Sequence, residues 1–134
     1  MNEQRAPVRG EGEKMQIETL QSDQLARYLD LSTSQIKLTA ANMANVDTPG
    51  YKAKGMDFEA EMRQAMAGAA NGEEAQPVHV NLTDGLIARP DGNNVSMDQE
   101  GLNLAEAQLK FKTGVSLLHL EYQKVMNAIH ATEK

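Results

Sequence analysis

The sequence predicts a mainly α fold. Two long terminal helices pack as an antiparallel coiled-coil-like hairpin, and a loop-rich middle holds a short helix with room for short β segments. Three observations carry this. Apolar residues recur at helical spacing in two long runs near the chain ends. Glycine and proline punctuation concentrates between those runs. The 134 residues include 17 Ala and 8 Met against 2 Phe, 3 Tyr and no Trp. Such a composition favours helix and buries little area per residue. The length fits one domain.

Residues 1–14 read as a polar, mobile tail, with Pro7, Gly10 and Gly12 interrupting any regular element. Residues 15–46 read as the first core helix. Leu25, Tyr28, Leu29, Ser32, Ile36, Thr39, Met43 and Val46 fall on one face. No Gly or Pro occurs between Lys14 and Asp47. A helix of ~30 residues is ~45 Å long, beyond the usual length in globular domains and suggestive of a coiled-coil-like element.

Residues 47–95 form the loop-rich middle. Asp47-Thr48-Pro49-Gly50 is a strong breaker. Pro49 disfavours helical geometry at Thr48, and Pro-Gly suits the centre of a type II turn. Asp57 can cap a short helix over residues 58–67 that Gly68 ends, with Phe58, Met62 and Ala65 or Met66 as its apolar face. Residues 69–76 read as a flexible linker. Val78, Val80 and Leu82 alternate with His79 and Asn81, which suits a short extended segment. Asp84-Gly85 and Pro90-Asp91-Gly92 are turn chemistry.

Residues 96–134 read as the second core helix. Ser96 and Gln99 match a capping box, and Asp98 and Glu100 place negative charge at the positive end of the helix dipole. Its stripe runs Leu104, Ala107, Phe111, Val115, Leu118, Tyr122, Val125, Ile129. Gly114, inside this helix, marks a close approach by a neighbouring helix. Two amphipathic helices alone leave much apolar surface wet, so further subunits are expected to cover it. The assembly stripe then comprises Leu25, Leu29, Ile36 and Met43 with Phe111, Val115, Leu118, Tyr122, Val125 and Ile129.

Several classes of chemistry drop out. With no Cys there is no disulfide framework, thiolate metal site or cysteine nucleophile. The net charge of −6 argues against non-specific nucleic-acid binding. No apolar run approaches a membrane span, and the N-terminus lacks the apolar core of a cleaved signal. His119 and His130 lie about three turns apart, too far to share one ion. Counting an EF-hand loop from Asp91 puts Ser96 and Leu102 where Gly and Glu are needed. Asp57, Glu59 and Glu61 read as a solvated helix start, because nothing in the sequence desolvates them. No phosphate-binding, dinucleotide or nucleophile-elbow motif occurs. The expectation is no catalysis, no cofactor, no metal and no small-molecule substrate.

The run from Ala41 to Lys52, AANMANVDTPGYK from Ala40, resembles the N-terminal motif of the flagellar rod and hook axial proteins. In that motif Asn42, Asn45, Thr48, Pro49, Gly50 and Tyr51 occupy the characteristic positions. The short chain and Asp91-Gly92-Asn93-Asn94-Val95 before an acidic cap resemble the proximal rod member, with the FlgC-type sibling as the close alternative. The resemblance implies a structural subunit made in the cytoplasm and exported unfolded by the flagellar type III apparatus without a cleaved signal. It implies helical stacking into the periplasmic rod of the basal body. Expected partners are other copies of the chain, FlgC-type and neighbouring rod proteins, FliE and the membrane ring at the rod base. Tyr51 would pack across a subunit junction, with Lys52 and Lys54 meeting acidic neighbours. A soluble helical adaptor or export chaperone is the alternative from another class.

Overall fold

The computed structural model describes residues 11–132, with side chains described from 20 to 131. Helix α1 spans Glu11–Ala44, strand β1 Lys54–Gly55, helix α2 Phe58–Ala70, strand β2 Asn81–Leu82 and helix α3 Met97–Thr132. The expected tail lies outside the described residues except for 11–14, which continue α1. With 34 and 36 residues, α1 and α3 are each about 50 Å long.

The two long helices run antiparallel, as expected. Asn42 near the end of α1 meets Glu100 near the start of α3. Two heptads further along each helix, Tyr28 and Leu29 close on Gly114. A Cβ on Gly114 would stand 2.7 Å from Leu29 Cδ2 and 2.9 Å from Tyr28 Cδ1. Gly114 therefore has the packing reason that its place inside a helix demands, since Gly there costs about 1 kcal/mol relative to Ala.

Asp57 caps α2 as its composition dictates, its carboxylate accepting from Ala60 N at 2.9 Å. The helix does not stop at Gly68 but runs to Ala70, and the turn falls at Asn71-Gly72. Gly68 can remain helical because its carbonyl accepts from both Asn71 N and Glu73 N. Phe58 is buried in the joint between helices: its ring meets Tyr28 edge-on at 5.2 Å, and Lys110 Nζ lies 4.4 Å from its centroid. This placement combines apolar burial with cation–π attraction.

The expected extended segment is real but brief. β2 pairs antiparallel with β1, Lys54 opposite Leu82 and Gly55 opposite Asn81. Arg27 reaches from α1 to the Gln76 carbonyl at 2.7 Å, so the stretch read as a linker is tied down at that point. Glu61 departs from the expected solvated helix start. It is buried on the inner face of α2 and accepts from His79 N at 3.2 Å and His79 Nδ1 at 2.9 Å. The desolvating element is the returning 73–80 chain, which local sequence does not reveal.

Candidate functional site

The Ala41–Lys52 run ends α1 in a series of tight turns. Asn45 N donates to Asn42 O at 3.1 Å, Val46 N to Met43 O at 3.2 Å, and Thr48 N to Asn45 O at 3.0 Å. The Thr48–Tyr51 turn then closes with Tyr51 N on Thr48 O at 3.2 Å, and Gly50 takes φ +73°. These are the features of the expected type II turn.

Such a chain reversal leaves carbonyls without helical partners. Asn93, fully buried, supplies them. Its Nδ2 lies 2.9 Å from Asn45 O, 3.1 Å from Val46 O and 2.8 Å from Thr48 O. Its Oδ1 accepts from Val95 N at 2.8 Å. Asp91 Oδ1 in turn accepts from Asn93 N at 3.0 Å, and Arg89 adds a guanidinium bond to Val46 O. Asn94 Oδ1 accepts from Ala53 N at 2.7 Å, and Lys52 Nζ donates to Gly92 O at 2.6 Å. The segment before α3 thus clasps the segment after α1.

Asn42 completes the clasp from the helix side. It is 1% exposed. Its Nδ2 donates to Lys54 O at 2.8 Å and to Glu100 Oε2 at 3.1 Å. Its Oδ1 accepts from Lys54 N at 3.0 Å and the Tyr51 hydroxyl at 3.3 Å. One amide therefore mimics a strand for β1 and anchors α3, with donors and acceptor all used. Asn45 binds Ala41 O at 2.8 Å and accepts from Thr48 Oγ1 at 3.1 Å. Thr48, Pro49 and Gly50 stand at the exposed tip, and Tyr51 is half-buried.

All six motif residues are thus brought together, within one chain. The sequence reading placed Asn93 and Asn94 in the run before the cap and gave Glu100 only a helix-dipole role, so it missed their part in the clasp. The tandem asparagines between a turn and a buried Val95 were the available signal, since side-chain amides there suit backbone capture. At the start of α3 the expected capping box is half made. Gln99 N approaches Ser96 Oγ at 3.4 Å, but the Gln99 side chain turns forward to Asn103 Oδ1 at 3.2 Å.

The C-terminal stripe divides in space. The line of α3 that buries fully consists of Glu100, Ala107, Gly114 and Glu121, a strict seven-residue repeat of small and charged side chains. Leu118 is half-buried beside it. Phe111, Val115, Tyr122, Val125 and Ile129 are exposed, Tyr122 by 64%. With Leu118 they form a continuous ridge along one flank. Large apolar groups on α3 therefore face outward while small ones make the helix contact. Leu25, Leu29, Ile36 and Met43 on α1 are each half-buried.

On the opposite flank of α3, a groove of about 560 Å³ opens against α1 and α2. Its apolar walls are Leu25, Tyr28, Met62, Met66, Leu117 and Leu120. Among the described residues no His, Asp and Glu group could hold a metal ion, and no helix is long and apolar enough to cross a membrane.

Residues 31–52 match the family described as flagella basal body rod protein, so the match covers the α1 end of the clasp. The chain is 31% identical over 121 residues to the flagellar basal body rod protein FlgB of Salmonella typhimurium, covering 75% of this chain and 86% of that protein. It is 32% identical over 114 residues to FlgB of Cereibacter sphaeroides, covering 78% and 89%. The Escherichia coli FlgB is 26% identical over 121 residues, covering 77% and 88%. With the clasp intact and the match running along most of both chains, the protein belongs to the FlgB family of flagellar basal body rod proteins.

Proposed function

We propose that this rod protein is a non-catalytic structural subunit of the proximal rod that completes its apolar core by stacking against neighbouring subunits. The observation that carries the reading is the exposed ridge on α3, from Phe111 to Ile129, in a family of rod proteins. A monomer gains little from an apolar strip of this length in water, whereas burying it between subunits gains roughly 25 cal/mol per Å². The ridge and the groove lie on opposite flanks of one helix. A contact that seats ridge in groove is heterologous, and heterologous contacts that do not close build open helices.

In this reading residues 15–46 and 96–134 form the tube core, and 47–95 sets the angle at which the middle leaves it. The chain reaches the periplasmic side unfolded through the flagellar type III apparatus, which a disulfide-free helical fold suits. Its partners are further copies of itself, FlgC-type rod proteins and, at the base, FliE with the membrane ring.

The test is a Leu118→Asp, Val125→Asp double variant expressed in place of the native chain. Loss of motility and basal bodies lacking a rod support the reading. Normal swimming overturns it. Fractionation of purified basal bodies separates it from the adaptor alternative, which stays outside the rod.

A further inference from the structure

Met62 and Met66 of α2 wall the groove beside α3, and they also wall a second pocket. This pocket, of about 460 Å³, opens between α1, α2 and the returning residues 72–76. Its apolar part is completed by Leu20, Ala65 and Ala69. Four exposed carboxylates line it as well, those of Asp23, Asp30, Glu73 and Glu74. The two other charged groups in the lining are committed to the strand-ward chain. Arg27 Nη2 donates to Gln76 O at 2.7 Å, and the Glu61 carboxylate holds His79. An apolar hollow edged by open carboxylates suits an apolar segment flanked by cations. Residues 5–9 have that composition: Arg5-Ala6-Pro7-Val8-Arg9. The other candidates in the chain fail. Lys52-Ala53-Lys54 buries its alanine, and in Lys110-Phe111-Lys112 the first lysine is held by Glu106 and Phe58.

We propose that residues 5–9 of one copy dock in the α1–α2 pocket of another copy. Pro7 favours an extended segment, which lowers the ordering cost of docking. In polyproline geometry Arg5 and Arg9 stand ~12 Å apart. Asp23 and Asp30 are ~10 Å apart along α1, so both arginines can meet a carboxylate at once. The chain's own segment cannot do this. Helix α1 starts at Glu11, and Asp23 stands ~18 Å further along its axis. Folding back onto α1 takes a turn of about four residues. That turn keeps Arg9 at the helix start, far from the pocket, so only a second copy brings both arginines in.

Fluorescence anisotropy of a labelled peptide of residues 1–10, titrated with the purified full chain, reads the pocket. The parent peptide should bind, and Arg5→Glu with Arg9→Glu in the peptide should weaken binding by about tenfold or more. Glu73→Lys with Glu74→Lys in the chain should weaken the parent peptide similarly and tighten the charge-reversed one. Both glutamates are exposed, so these substitutions should leave the circular dichroism unchanged. No binding, or equal binding of the parent and reversed peptides, overturns the proposal. The chain has no cysteine, so introduced thiols report without background. Val8→Cys with Met66→Cys in one chain should oxidise to covalent dimers and longer species. Mass spectrometry should find position 8 of one copy joined to position 66 of the next. A disulfide closed within single chains, or none between these positions, overturns the proposal. Neither readout needs an assembled rod, so failure here leaves the stacking reading standing.

Discussion

Asn93 Nδ2 donates to Thr48 O at 2.8 Å across 45 positions of sequence. This bond ties the loop before α3 to the turn after α1. Because the same amide also faces the Asn45 and Val46 carbonyls, one side chain gathers three acceptors of the turns that end α1, beside their Thr48, Tyr51 and Arg89 donors.

Asn93→Ala should therefore be severe. It strands the Val95 amide in a buried site and takes one donor from three carbonyls that keep only their Thr48, Tyr51 and Arg89 partners, and the expected loss is about 1–3 kcal/mol. Asn93→Asp should be nearly as damaging, since a carboxylate has no N–H to offer. Urea unfolding followed by circular dichroism measures both, and loss within 0.5 kcal/mol for either would contradict the clasp.

Gly114 and Gly101 share one helix and should respond oppositely to substitution. A Cβ on Gly101 meets nothing within 4 Å, so Gly101→Ala should stabilise the helix by about 0.5–1 kcal/mol. Gly114→Val drives a branched side chain into Tyr28 and Leu29 and should cost about 1–3 kcal/mol. Thermal melts of the two variants side by side make the comparison.

Glu61→Ala should loosen one segment without unfolding the molecule. The residue holds His79 through both its amide and its ring, and losing those bonds costs about 1–2 kcal/mol locally. Hydrogen exchange at the His79 amide should accelerate about tenfold or more while the α1–α3 amides keep their rates.

Tyr122→Asp separates assembly from folding. The side chain is exposed in the monomer, so its melting temperature should stay within a few degrees of the parent. Motility should nonetheless be lost, because the substitution puts a charge in the middle of the ridge. A swimming strain with intact rods would remove Tyr122 from the assembly face.

The helical periodicity of the sequence located both long helices, and composition placed the punctuation between them. Pro49-Gly50 and Asp57 acted through local backbone rules, and both stand where those rules put them. The α3 seam was a different matter. A search for large apolar residues at helical spacing found Phe111, Val115, Tyr122 and Ile129, which lie outside the intrachain contact. The contact itself is made by Ala107, which the stripe included, and by Gly114, which the sequence marked as a close approach; the merit of both is the absence of bulk. Helical spacing marks a wide apolar face but does not say which part of it a partner helix covers. Asn93 escaped for a related reason: its partners are backbone carbonyls far away in sequence, and nothing beside it announces them.

The clasp also has a kinetic consequence. It joins the C-terminal end of one long helix to the N-terminal end of the other, so closing it brings Asn42 and Glu100 together after one long loop closure. From there each further turn of α3 meets α1 as its next neighbour, in the manner of a zip engaged at a single end. Formation should be limited by that first closure, and opening should begin at the far end, where Glu121 and the turns beyond it separate before Asn93 lets go.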